Sequence, residues 1–283
     1  MTRLSMDSIV EAVNDLPSLP HIVVKIMELT EDPDSTAQDI SNVLSQDQAM
    51  TARVLRLANS AFYGFPRRIS TINDAIVFLG FKTIRSIVMA VSVSGILSRE
   101  VEGYALEQGE LWRHSQCSAM AARLIARKAK FAIVDLAYTA ALLHDIGKVI
   151  LNSYMKEAYH EVVAKVGEEN KSFIETENEV LGFNHAVVGA RVAEKWNLPP
   201  ELVEAIALHH HPEQAEINKR LTAIVHLGDA VCVMMGIGIG IDGMLYPVSG
   251  EALNLLGFKE ADIEMIISEL ADVFADQQSF YDN

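Results

Sequence analysis

The sequence predicts an all-α protein, and three observations carry that prediction. Apolar residues return at three- and four-residue spacings, as at Ile40, Val43 and Leu44 and again at Ile263, Ile266, Ile267 and Leu270, which is the period of a helix with one buried face. Helix-starting and helix-stopping residues bracket these runs. Segments that alternate apolar and polar residues, as a half-buried strand would, are hard to find.

The elements follow in chain order. Asp34-Ser35 followed by Gln38 reads as a helix start, with Ile40, Val43 and Leu44 inward. A second helix begins after Asp47 and carries Val54, Leu55 and Ala58. Tyr63-Gly64-Phe65-Pro66-Arg67-Arg68 breaks the period and reads as a loop. Ser70 or Thr71 caps the next helix and Gly80 ends it. The run from Thr83 to Leu97 is apolar enough to be buried on most sides. Its Val88, Val91 and Val93 would also suit a strand, but its length and its neighbours favour a central helix.

The charged, glycine-containing stretch Ser98 to Gly103 is the preferred boundary. It divides the chain into an N-terminal helical part (1–100), a helical core (101–235) and a C-terminal loop with helices (236–283). In the core, helices are expected through His114, from Asp135 to His144 and from Tyr154 to Lys165. Ser172 and Glu175 form a capping box for a helix ending near Gly182. Asn184 caps one that runs through Val188 and Val192 to Trp196. Pro199-Pro200 restarts the chain toward Leu202, Ile206 and His209. A further helix carries Leu221, Ile224, Val225 and Asp229, and Ala261 to Phe274 is amphipathic.

Half of the 283 residues are apolar and 22% are charged, a globular balance with ample material for a core. The net charge of -15 argues against a nucleic-acid partner, because phosphate neutralisation needs clustered Lys and Arg. A small phosphorylated ligand or phosphate stays open, since bound cations can dominate the field inside a pocket. The first residues lack an apolar signal region, and Ala230 to Ile241 is too short and too glycine-cut to span a bilayer, so no membrane is expected. With only Cys117 and Cys232, no dependence on a disulfide is expected, and a reducing cytoplasm is the expected location.

Seven residues carry the functional argument: His114, His144, Asp145, His185, His209, His210 and Asp229. His144-Asp145 ends the apolar run Ala140-Ala141-Leu142-Leu143 and is followed by Ile146-Gly147. Two ionisable groups at a buried helix end are costly unless something compensates them. A metal ion does so, with neutral imidazole and carboxylate as ligands. Asp229 lies in a similar setting, between Val225 and Cys232. His209-His210-His211 follows Ala205-Ile206-Ala207-Leu208, with His211 read as a solvated helix end. His21, His160 and His226 read as core-edge or surface residues.

The segments LLHDIGK, LWRHS, NHAVVGARVAEKWNLP, HHHPE and HLGDAV together resemble the HD superfamily of metal-dependent phosphohydrolases. LPSLPHIVVKIMEL, DQAMTARVLRLANSAFYG and DAIVFLGFKTIRSIV narrow the resemblance to the HDOD family, the HD-related output domains of bacterial signalling. It covers about residues 10 to 230. The resemblance implies an all-helical fold in which His114, His144, Asp145 and Asp229 hold one metal. His185, His209 and His210 resemble the second-metal ligands of related HD-GYP phosphodiesterases, with Asp145 bridging. Many HDOD proteins lack part of this set and are regarded as non-catalytic, whereas every position that aligns is filled here. Glu110, one turn before His114, falls where some HD-GYP proteins place an extra ligand, but a surface carboxylate is the preferred reading. HHHPEQ lacks the Gly-Tyr-Pro signature, which argues against cyclic-di-nucleotide hydrolysis.

The donor set, five imidazoles and two carboxylates without thiolate, suits divalent transition metals. Two ions are expected, Fe or Mn first, with Zn, Ni or Co also suited. Lys148, one turn after His144, is the nearby cation; by resemblance it contacts a substrate phosphate, and otherwise it is a surface lysine. Asp145 and Lys148 are therefore the catalytic candidates. Three readings stay open: a phosphohydrolase, a non-catalytic signalling module that binds a protein partner, and a di-iron oxygenase. With no receiver, GGDEF or kinase motif, the second would be a stand-alone adaptor. Arg53, Arg56, Asn59 and Ser60, before Phe62-Tyr63-Gly64-Phe65, read as a solvated face and packing loop. Gly236-x-Gly238-x-Gly240 lacks the lysine of a phosphate loop and reads as a flexible loop.

Overall fold

The computed structural model describes residues 11, 13, 16, 18–64, 68–169, 171–240 and 248–281. Among these residues the regular elements are helices; there is no strand, only an isolated antiparallel bridge between Val101 and Leu106. The chain is all-α, as expected. It sorts into two compact units, one comprising Leu19–Gly95 with Ser268–Asn283, the other Ile96–Ile267 with the described residues of Met1–Ser18.

The first unit begins with α1 (His21–Glu31), α2 (Ala37–Leu44), α3 (Gln48–Ala58) and α4 (Ile72–Leu79), and α5 spans Phe81–Leu97. Helix α2 starts one residue beyond the expected Asp34-Ser35. Thr36 accepts from the Asp39 amide while the Asp39 carboxylate accepts from Thr36, and Asp34 instead donates its own amide to Asp32. Asp47 and Thr71 cap α3 and α4, and Gly80 closes α4 at φ 81°. Helix α5 begins directly after Gly80 and buries Val88, Val91 and Val93, so length prevailed over β-branching there. Asn59 is structural: it donates to the Leu55 and Ile69 carbonyls and accepts the Ile69 amide, stitching the end of α3 to the chain ten residues on. Phe65, Pro66 and Arg67 of the expected loop lie outside the described residues.

The second unit contains α6 (Glu110–Lys128), α7 (Val134–Leu143), α8 (Gly147–Glu169), α9 (Phe173–Leu181), α10 (His185–Lys195), α11 (Pro200–Ala207), α12 (Lys219–Met234) and α13 (Gly250–Leu256); α14 spans Glu260–Tyr281. Helix α6 packs against both α7 and α12, while α8 packs against α9 and α10. Helix α8 starts seven residues before the expected Tyr154, directly after the His144-Asp145-Ile146 turn. Gly147 makes this possible, because a Cβ there would collide with the His185 carbonyl and stand 2.6 Å from the Gly189 amide nitrogen. Only a glycine lets the start of α8 rest on the first turn of α10.

Cys117 on α6 and Cys232 on α12 are joined as a disulfide, with Cα atoms 6.0 Å apart across a sequence separation of 115. No dependence on a disulfide was expected, yet the two cysteines are paired: helix packing brings together two residues that their sequence separation keeps apart. The argument from cysteine usage to a reducing compartment falls with it. No helix among the described residues is long and apolar enough to cross a membrane.

Candidate metal centre

The seven predicted residues come from three helices and two helix ends, and they converge. His114 lies in the second turn of α6 and Asp229 within α12. His144 caps the C-terminus of α7, and Asp145 follows it. His185 opens α10 behind the Asn184 cap, whose side chain accepts the Val187 amide. His209 and His210 follow the end of α11. Side-chain exposure is 5% or less for His114, His144, Asp145, His185, His209 and Asp229. His210 is half-buried.

The imidazoles share one orientation. His144 Nδ1 lies 2.6 Å from the Ala141 carbonyl and His209 Nδ1 2.8 Å from the Ile206 carbonyl. His114 Nδ1 lies 3.0 Å from the Ile237 carbonyl, and His185 Nδ1 2.7 Å from the Glu177 carboxylate. Each partner is an acceptor, so each Nδ1 carries a proton and each Nε2 faces the centre, where a proton or a metal ion can take it up. The Nε2 atoms of His144 and His209 are fully buried without a hydrogen-bond partner. Buried ring nitrogens without a partner are costly. A cation is what they fit.

Asp145 divides the cluster in two. Its Oδ2 lies 3.5 Å from His114 Nε2 and 3.3 Å from His144 Nε2; its Oδ1 lies 3.4 Å from His185 Nε2 and 3.9 Å from His209 Nε2. Asp229 Oδ1 joins the first side, 3.0 Å from His114 Nε2 and 3.5 Å from His144 Nε2. On the other side His210 Nε2 stands 2.9 Å from His185 Nε2. The donor atoms of His114, His144 and Asp229 lie within 4.8 Å of one another, as do those of His185, His209 and His210.

The field in this cluster is steep. Burial pulls the His144 imidazole down, but the carboxylates of Asp145 and Asp229 outweigh it and push the ring up to about 10. Burial opposes charge on Asp145 and Asp229 as well, yet the neighbouring His144 holds both well below the carboxylate range, with Lys148 adding to the effect on Asp145. His209 and His210 are depressed, first by burial and then by the imidazoles around them. Such rings are neutral, as metal ligands must be.

Lys148 is buried rather than a surface lysine: its ammonium donates to Asp145 Oδ2 at 2.5 Å and lies 5.8 Å from the Tyr104 ring centroid. Glu110 stays out of the cluster, accepting the Glu107 amide at 2.7 Å. His21 and His160 are exposed, and His211 is solvated beside Glu213. His226, read as core-edge or surface, lies on the core side of that reading. It is buried, donates from Nδ1 to the His209 carbonyl at 2.8 Å and accepts the Ser249 amide on Nε2 at 2.9 Å. The main residue that sequence reasoning missed is Glu177, which is fully buried and also accepts the Tyr104 hydroxyl and the His185 amide. The signal was present, since Phe173, Glu177, Val180 and Leu181 share the buried stripe of α9.

Comparison with known proteins agrees with this fold. The HDOD domain model matches residues 16–212, and the chain belongs to that family. An HDOD domain protein from Geobacter sulfurreducens is 28% identical, with 97% of each chain covered and a TM-score of 0.73. A proposed phosphohydrolase from Shewanella amazonensis is also 28% identical, covering 94% of this chain and 93% of the other at a TM-score of 0.71. An uncharacterised protein from Treponema pallidum is 28% identical over 220 residues, 77% of this chain; the chain spans only 42% of that relative's length.

Proposed function

We propose that the chain is a metal-dependent phosphohydrolase of HD type, with two divalent transition-metal ions held in this cluster, acting in bacterial signalling. The observation that carries the reading is the common orientation of four buried imidazoles, each with Nδ1–H donating to an acceptor and Nε2 turned toward one or other oxygen of Asp145. His114, His144 and Asp229 would hold one ion and His185, His209 and His210 the other, with Asp145 between them. A pair of such ions supplies Lewis acidity for in-line displacement at phosphorus. Lys148 adds a buried positive charge beside Asp145, suited to an anionic phosphoryl oxygen. Burial of the ligand atoms excludes bulk water, which strengthens each of these interactions.

One observation favours a second reading. The ligand side chains are almost fully enclosed, and Lys148 already pairs with Asp145, a geometry that also suits a non-catalytic signalling module built around a structural metal. The deciding experiment is elemental analysis of protein loaded with Mn or Fe, followed by a panel of phosphomonoesters and phosphodiesters. Two ions per chain and turnover of at least one substrate, lost by more than about 100-fold in Asp145→Ala, is the expected result. Bound metal without turnover anywhere on the panel would leave the signalling module; a di-iron signal that changes with O₂ would favour the oxygenase. Absence of metal uptake would overturn the metal reading altogether.

A further inference from the structure

The glycine run after α12 is accounted for neither by the family match, which ends at residue 212, nor by the ligand set. It is a defined turn: the Gly236 amide donates to Val233 and the Ile237 amide to Cys232, folding the chain back over the end of α12. The turn delivers the Ile237 carbonyl to His114 Nδ1 at 3.0 Å. Gly238, at φ 58°, lies so close to α6 that a Cβ there would stand 2.6 Å from the Glu110 carbonyl oxygen and 2.8 Å from His114 Cβ. Gly236 is equally left-handed at φ 72°, yet a Cβ there would meet nothing within 4 Å.

The contrast with the neighbouring ligands gives this contact its meaning. His144 and His209 anchor Nδ1 on carbonyls three residues earlier in their own chain, at helix ends where such carbonyls are available. His114 sits inside α6, where the carbonyls of the preceding turn are taken by the helix, so its ring needs an acceptor from elsewhere. We propose that Ile237-Gly238 is a positioning strap for His114. The Ile237 carbonyl fixes the proton on Nδ1 and aims Nε2 at Asp145 and Asp229, and the missing side chain of Gly238 lets the strap lie on α6. The strap is a hydrogen-bonded contact in its own right; its effect on metal affinity rests on the metal reading above.

The test uses a matched pair in the full chain, Gly238→Ala and Gly236→Ala. Both place alanine in a left-handed conformation, and only the first collides with α6. In chelator-treated protein, long-range ¹⁵N–¹H spectra of the imidazoles, with His114 assigned through His114→Gln, are expected to show the Nδ1–H form in the wild type and in Gly236→Ala. In Gly238→Ala that signal is expected to shift to a mixture of tautomers. Manganese titration is then expected to show one ion per chain bound about 10–100-fold more weakly in Gly238→Ala only, the usual size of an outer-shell effect. A wild-type His114 without a proton on Nδ1 overturns the strap, even if Gly238→Ala does not fold. So does a Gly238→Ala spectrum matching the wild type, in which case normal metal uptake would leave the metal reading intact. If no metal binds to any form while the tautomer shift is seen, the strap stands and the metal reading falls.

Discussion

Glu177 is a carboxylate buried for the sake of one imidazole. It accepts His185 Nδ1–H at 2.7 Å and the His185 amide at 3.1 Å, and it takes the Tyr104 hydroxyl as a third donor. Carboxylate–histidine pairs of this kind orient a ligand ring and raise its basicity. Glu177→Ala leaves the two His185 donors unmatched in a dry site, at about 1–3 kcal/mol each. A lowered urea midpoint, with one ion per chain bound about 10–100-fold more weakly, is expected, and Glu177→Gln should recover much of the stability but less of the affinity. Equal affinity in Glu177→Ala and wild type, measured by isothermal titration, would sink this role. The cluster residues stood out in the sequence because His and Asp beside apolar runs demand compensation. Glu177 did not, because a lone glutamate in a helix looks like solvated surface until its neighbours on the stripe are counted. His226 was ambiguous for a related reason: its partners, the His209 carbonyl and the Ser249 amide, lie 17 and 23 residues away.

At the scale of elements, the caps show what local chemistry can and cannot fix. Thr71, Asp47, Ser172 and Asn184 cap their helices as read, since each bond closes within three residues. The start of α8 was misplaced because its cause is tertiary, the contact of Gly147 with α10. Gly147→Ala is expected to cost about 3 kcal/mol or more, since the obstructing atoms are backbone and cannot rotate away. Chemical denaturation measures that directly, and a loss below about 1 kcal/mol would mean that the helices part easily. Glu204 makes a second element-scale case. It accepts the amides of Glu216, Ile217 and Asn218 at 2.7, 2.8 and 2.7 Å, fastening the segment that leads into α12. Burial works against its charge, but these amides outweigh it and hold the carboxyl below its ordinary 4.5. A carboxyl depressed in the folded state stabilises above its unfolded value and loses that contribution as pH falls through the folded one. The gap in urea midpoint between wild type and Glu204→Gln is therefore expected to be full at neutral pH and to close below about 4.5. A gap that stayed constant into acid would show that the charge is not what holds the segment.

For the molecule as a whole, the disulfide ties the scaffold to the site. Cys117 lies one turn after His114 on α6, and Cys232 one turn after Asp229 on α12, so the bond staples the two helices that carry these residues. Periodicity could show that both helices exist and that both cysteines face inward. It could not show that the two faces meet, because a separation of 115 residues leaves no trace in a local pattern. The same blindness applies to the convergence of the seven ligands, which came from resemblance rather than from spacing. Closing a loop of this length removes denatured-state entropy worth about 4–5 kcal/mol, although both sulfurs are buried and the helix contact persists without the bond. Protein purified in air and unfolded without reductant is therefore expected to present no free thiol to Ellman's reagent. Reduction should lower the midpoint of unfolding, by no more than that entropic amount, and Cys117→Ala with Cys232→Ala should reproduce the reduced state. If the metal site alone kept α6 and α12 together, chelation would lower the midpoint equally in the oxidised and reduced forms. The staple predicts otherwise: chelation should cost more stability in the oxidised protein, where the covalent bond holds His114 opposite Asp229 and a metal would bind the folded state more tightly.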